Sequence, residues 1–146
     1  MILFAVLVAA FAVSYLVLRH GRHRDAARWA MAVAMVFAGV THFADPASFV
    51  RMLPEFVPVR HGVILGTGVI EILLGIGLLV PRRLRREVAL ALVAYLLAVF
   101  PANVHMAVNP EQVRGLDLDR VPRWALWARL PLQPLCMLWV WRATRN

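Results

Sequence analysis

The stretch from His61 to Val80, HGVILGTGVIEILLGIGLLV, constrains this chain more than any other. As a helix rising about 1.5 Å per residue it spans roughly 30 Å, the hydrocarbon thickness of a bilayer. Pro81, Arg82 and Arg83 close it on one side, and Glu71 sits in its middle. A carboxylate at that depth costs at least ~2.5 kcal/mol on insertion scales. Glu71 must therefore face protein or water, or carry a proton. Gly68, Glu71 and Gly75 fall at i, i+3 and i+7 and share one face. Gly62 and Gly66 form a GxxxG, a spacing that lets a neighbouring helix approach closely. The expected element is a central helix that turns its one acid toward its neighbours.

The rest of the chain agrees with a membrane setting. Of its 146 residues 62% are hydrophobic, where a soluble domain has about 45–50%. The net charge of +8 comes from sixteen arginines and no lysine. These sit in short runs between apolar segments, as in cytoplasmic loops, which argues against a nucleic-acid partner. The single cysteine, Cys136, excludes an internal disulfide and dithiol redox chemistry within the chain.

Five spanning helices are expected. Residues 1–18 are apolar, and their positive charges follow rather than precede the apolar run. That order favours a retained helix over a removed signal peptide. Residues 19–28 form a solvated basic loop, in which His20 and His23 are surrounded by arginines that repel a metal cation. The second helix covers 27–44. Asp45 is a helix cap and Pro46 suits a first helical position, so residues 45–60 read as a short amphipathic helix at the interface, stopped by Pro54 and Pro58. This segment is either a connector or a lid. After 61–80 and the basic run 81–87 comes the helix 88–108, where Pro101 frees the carbonyl of Leu97 and bends the chain. Residues 109–123 are a polar loop. The last helix covers 124–142, with bends expected at Pro131 and Pro134. The basic blocks 19–28, 81–87 and 142–146 carry +3, +3 and +2, against 0 for 45–60 and +1 for 109–129. This bias places the N-terminus outside and the C-terminus in the cytoplasm.

Counting depth from the outer end of each helix at about 1.5 Å per residue puts Glu71 and Gln133 deepest, with Asn103, Thr67 and Arg129 about a turn nearer the surface. His42 lies nearer the outer mouth. His105 points almost opposite to Asn103 on its helix. Glu71 is expected to hydrogen-bond Gln133 or Asn103, with Arg129 acting from further off toward the head groups. Such groups serve as interhelical glue, as a ligand pocket, or as a catalytic set, and the residues alone leave all three open. His42, His61 and His105 do not pair on a helix face, and a zinc site wants three or four converging ligands, so no metal site is expected.

The segments GVTHF (Gly39–Phe43), LPEFVP (Leu53–Pro58), GVIEILLGIGLL (Gly68–Leu79), VFPANVHMA (Val99–Ala107) and RLPLQP (Arg129–Pro134) together resemble the DoxX-like family of small integral membrane proteins. The resemblance covers residues 27–143. It implies an all-α, polytopic four-helix membrane core, with residues 1–18 as an added N-terminal helix. It carries the family's polar positions onto His42, Glu71, Asn103, Arg129 and Gln133 as a ligand-binding set, with no catalytic residue among them. The function it implies is a non-catalytic module binding a partner protein or a lipophilic ligand in an outer-half polar pocket. The alternative it implies is a membrane subunit of a quinone-linked redox complex, with quinone as the cofactor and a membrane-associated oxidoreductase as the partner. The absence of redox cysteines argues against an autonomous oxidoreductase.

Overall fold

The computed structural model describes residues 8–13, 15, 23–54, 56–112 and 123–144, and these are mostly helical, with no strand among them. Five helices carry the fold: α1 (His23–Ala44), α2 (Pro46–Met52), α3 (Arg60–Gly77), α4 (Arg85–Val108) and α5 (Arg123–Thr144). Short 3-10 turns, Arg82–Leu84 and Pro110–Gln112, precede and follow α4. Helices α1, α3 and α4 are each long and apolar enough to cross a membrane, by length and composition. Helix α5 is as long as α1, but Arg123, Arg129, Gln133 and two prolines make it more polar. Most of the expected first span, residues 1–18, lies outside the described residues. Its described part is helical, and Phe11 meets the Trp139 ring edge-on at 5.2 Å.

Helices α1 and α3 run antiparallel and pack backbone to backbone. A Cβ added at Gly39 would lie 2.6 Å from the Gly68 carbonyl oxygen, and one at Gly68 would lie 2.9 Å from the His42 Cβ. Two turns further along, a Cβ at Gly75 would lie 2.9 Å from the Ala32 carbonyl. The face shared by Gly68, Glu71 and Gly75 is thus the buried seam. The GxxxG pair is not: Gly66 has nothing within 4 Å of its Cβ position, and Gly62 meets only Val59.

Helix α4 packs chiefly on α5 and touches α3 lightly. The main apolar core lies toward one end of the bundle, where Ala30, Met31, Ala34 and Met35 meet Leu78, Ala89, Leu92 and Val140. The Trp139 indole N–H donates to the Ala27 carbonyl at 3.0 Å and ties α5 to α1 there. The antiparallel order brings Arg24, Arg85, Arg86 and Arg142 to this same end. At the opposite end a smaller cluster of Met106, Ala107 and Leu126 joins α4 to α5. Helix α5 runs unbroken through Pro131 and Pro134, so the expected bends do not interrupt it.

Helix α2 follows α1 with one residue between them. Asp45 caps it by accepting the Ser48 backbone N–H at 3.3 Å, and Pro46 holds the first helical position. The hydrogen bonds to Ser48 hold the Asp45 carboxyl below its usual range. Leu53 is extended and ends the helix before Pro54. The chain then enters α3 through Val59, which adopts φ 48° and ψ 42°. A left-handed conformation costs a non-glycine residue roughly 1–2 kcal/mol, and a branched side chain suits it poorly.

Candidate functional site

The interior polar groups form two separate clusters that meet α4 on adjoining faces. The first joins three helices. Glu71 on α3 accepts a 2.8 Å hydrogen bond at Oε1 from the hydroxyl of Tyr95 on α4. Its other oxygen, Oε2, lies 3.3 Å from Nδ1 of His42 on α1. That nitrogen carries its proton toward the Ala38 carbonyl oxygen at 2.8 Å, which fixes the tautomer because a carbonyl only accepts. Glu71 Oε2 is buried and makes no hydrogen bond among the described residues. His42 is itself buried, 9% exposed, and its ring stacks on Phe49 of α2 with centroids 4.1 Å apart.

The second cluster lies between α4 and α5. Asn103 donates from Nδ2 to Gln133 Oε1 at 2.9 Å, and Gln133 donates from Nε2 to the Leu96 carbonyl. Gln133 is 7% exposed. Pro101 was expected to free the Leu97 carbonyl; Gln133 instead reaches the carbonyl one residue earlier, on the face that α4 turns to α5. Arg129 stands one turn along α5 and points a guanidinium nitrogen at the Met106 sulfur, 3.8 Å away. His105 turns away from Asn103 and lies 3.5 Å from the side chain of Asn109.

Of the five residues chosen from the sequence, the fold brings His42 to Glu71 and Asn103 to Gln133, and leaves Arg129 beside the second pair. The expected bond from Glu71 to Gln133 or Asn103 is not the one formed. Counting depth from each helix end assumes that the helices start level, and they do not. His42 lies two residues from the end of α1, while Glu71 lies eleven residues from the start of α3. Their contact means that α3 begins about 13 Å beyond the end of α1, and α2 covers the step between them. Tyr95 was missed. It is the one side chain in the run Val88–Phe100 that carries a polar atom, and a buried tyrosine hydroxyl usually finds a partner. That search would have found Glu71.

Thr41 and Thr67 spend their hydroxyls on carbonyls three residues back in their own helices, Ala38 and Ile64. Thr41 thus shares the Ala38 carbonyl with His42, and Thr67 takes no part in either cluster. Among the described residues no group of three His, Cys, Asp or Glu side chains converges on a point where a metal ion would sit. A depression of about 200 Å³ is lined by Val108, Asn109, Pro110, Glu111 and Arg123, none of which belongs to either cluster. Within it Arg123 pairs with Glu111 at 2.7 Å, both exposed.

No curated protein and no solved structure matches this chain. Residues 31–144, which hold both clusters, match the family model described as a domain of unknown function (DUF8561), and the chain belongs to that family.

Proposed function

We propose that this chain is an integral membrane binding module of the DoxX-like type, taking a lipophilic ligand or a partner protein at the His42–Glu71–Tyr95 cluster. The observation that carries the reading is Glu71 Oε2, a buried carboxylate oxygen without a hydrogen bond. A buried acceptor of this kind costs about 1–3 kcal/mol, and a bound donor would remove that cost. The DoxX-like reading supplies the four-helix core, α1, α3, α4 and α5, with the N-terminal helix added to it. The arginines at one end of the bundle support placing that end, and the C-terminus, in the cytoplasm. His42, Glu71 and α2 then lie in the outer half. Asn103, Gln133 and Arg129 form the flank of the same half.

A second reading is a membrane subunit of a quinone-linked redox complex. The close grouping of three titratable side chains, Tyr95, Glu71 and His42, favours it, because groups of this kind suit proton exchange with a quinone. Extraction from native membranes in mild detergent, followed by mass spectrometry of bound lipids and proteins, tests both. A lipid or partner retained by the parent and lost in Glu71→Gln supports the binding module. A co-purifying oxidoreductase with quinone supports the second reading. Identical profiles for parent and variant overturn the binding module, and the absence of any oxidoreductase from both overturns the second reading.

A further inference from the structure

We infer that α2 is a removable cover over the Glu71 site, and that the Phe49 ring occupies the place of a ligand: a flat ring carrying a hydrogen-bond donor on its edge. The inference rests on the binding-module reading and names the ligand class of that site.

Three observations converge. The first is the stack itself. Phe49 lies over His42 at 4.1 Å with the rings inclined by 23°, so the imidazole face that lines the step between α1 and α3 accepts a planar ring. The second is the need that Phe49 leaves unmet. Glu71 Oε2 lies 3.3 Å from the edge of the same imidazole and has no hydrogen bond. A phenyl ring has no donor to offer it, whereas a ring bearing O–H or N–H at its edge satisfies the carboxylate while keeping the stack. The third is how the cover is mounted. Helix α2 has seven residues, capped by Asp45 through exposed hydrogen bonding to Ser48 alone. Its far end leads through Pro54 and Pro58 to Val59, held in the left-handed region. Lifting α2 away from His42 lets Val59 relax toward an ordinary conformation, which offsets part of the loss of the stack. Phe56 and Val59 are 82% and 80% exposed beside it, giving the lifted segment apolar side chains that rest in the membrane interface.

The test uses the full chain in detergent micelles and follows acylation of His42 by diethyl pyrocarbonate, located by peptide mass spectrometry. Phe49→Ala uncovers the imidazole and is expected to raise the His42 rate several-fold, while Phe49→Trp restores a covering ring and keeps the parental rate. Phe49→Leu keeps apolar bulk without a flat ring and serves if the alanine variant fails to fold; it is expected to react faster than the parent. In whichever variant is uncovered, phenol and indole slow the reaction of His42, whereas toluene, a ring without a donor, and cyclohexanol, a donor without a flat ring, do not. A parental rate in the alanine and leucine variants overturns the cover. Equal protection by all four probes, or by none, overturns the ligand class. The outcome is separable from that of the functional reading: lipid lost from Glu71→Gln together with unchanged His42 access removes the cover and leaves the binding module standing.

Discussion

At the scale of single residues, the bond from Tyr95 to Glu71 joins α4 to α3 where the two helices otherwise touch lightly. Tyr95→Phe removes the donor and leaves both carboxylate oxygens without a hydrogen bond. The expected loss is about 1–3 kcal/mol, read as a lower melting temperature in detergent. In the Glu71→Leu background, where no acceptor remains, the same tyrosine change is expected to cost less, and a double-mutant cycle measures the difference. If Tyr95→Phe costs the same in both backgrounds, the bond is not what Tyr95 contributes. Asp45 gives a pH signature at the same scale. Its folded pKa lies below the ordinary 3.8. The cap is therefore fully present above that pH, and its contribution is lost as pH falls through the lower folded value. Shielding of the Ser48 amide from hydrogen exchange should weaken in strong acid and should not change between neutral pH and pH 5.

At the scale of helices, the seam between α1 and α3 is the tightest element of the fold. Gly39→Ala drives a methyl group against the Gly68 carbonyl and the Ile72 side chain. The helices must separate, and the expected penalty is about 1–3 kcal/mol. Gly66→Ala is the matched control. Its Cβ meets nothing, so the gain in helix propensity of up to about 1 kcal/mol is expected without any loss. Equal melting of the two variants would show that the seam is looser than the geometry requires. These helices were largely readable beforehand. Apolar length announced α3 and α4, and the pair Asp45–Pro46 announced α2. The face of Gly68, Glu71 and Gly75 was legible because helical period alone sets which residues align. The partner of that face was not legible, because the axial offset between α1 and α3 depends on where Gly39 seats against Gly68, and no spacing within one helix encodes it. The same offset hid the meeting of His42 with Glu71. Gly62 and Gly66 carried a known spacing and misled, since a motif gives closeness only where a neighbour is present.

At the scale of the whole molecule, the antiparallel order of α1, α3, α4 and α5 sets the two ends apart. One end carries Arg24, Arg85, Arg86 and Arg142, and the other carries α2. Single cysteines at Ser48 and Leu84, in a Cys136→Ser background, should therefore label from opposite sides of the membrane, with Leu84 accessible from the cytoplasm. Labelling of both from the same side would overturn the topology. The gathering of arginines at one end was legible in the sequence, because arginine blocks fall at every second turn of the chain.

The pairing of α1 with α3 and of α4 with α5 also fixes an order of events for a chain emerging during synthesis. Each pair is joined by neighbours along the sequence, so each is a hairpin that closes over a short stretch of backbone, and such local closures are fast. The glycine seam is complete once residue 77 has emerged, before any of α4 is inserted. At that stage Glu71 has His42 beside it and no hydroxyl. The Tyr95 bond forms only once α4 lies beside α3, so the acid in the middle of α3 gains its hydroxyl partner after the glycine seam has closed.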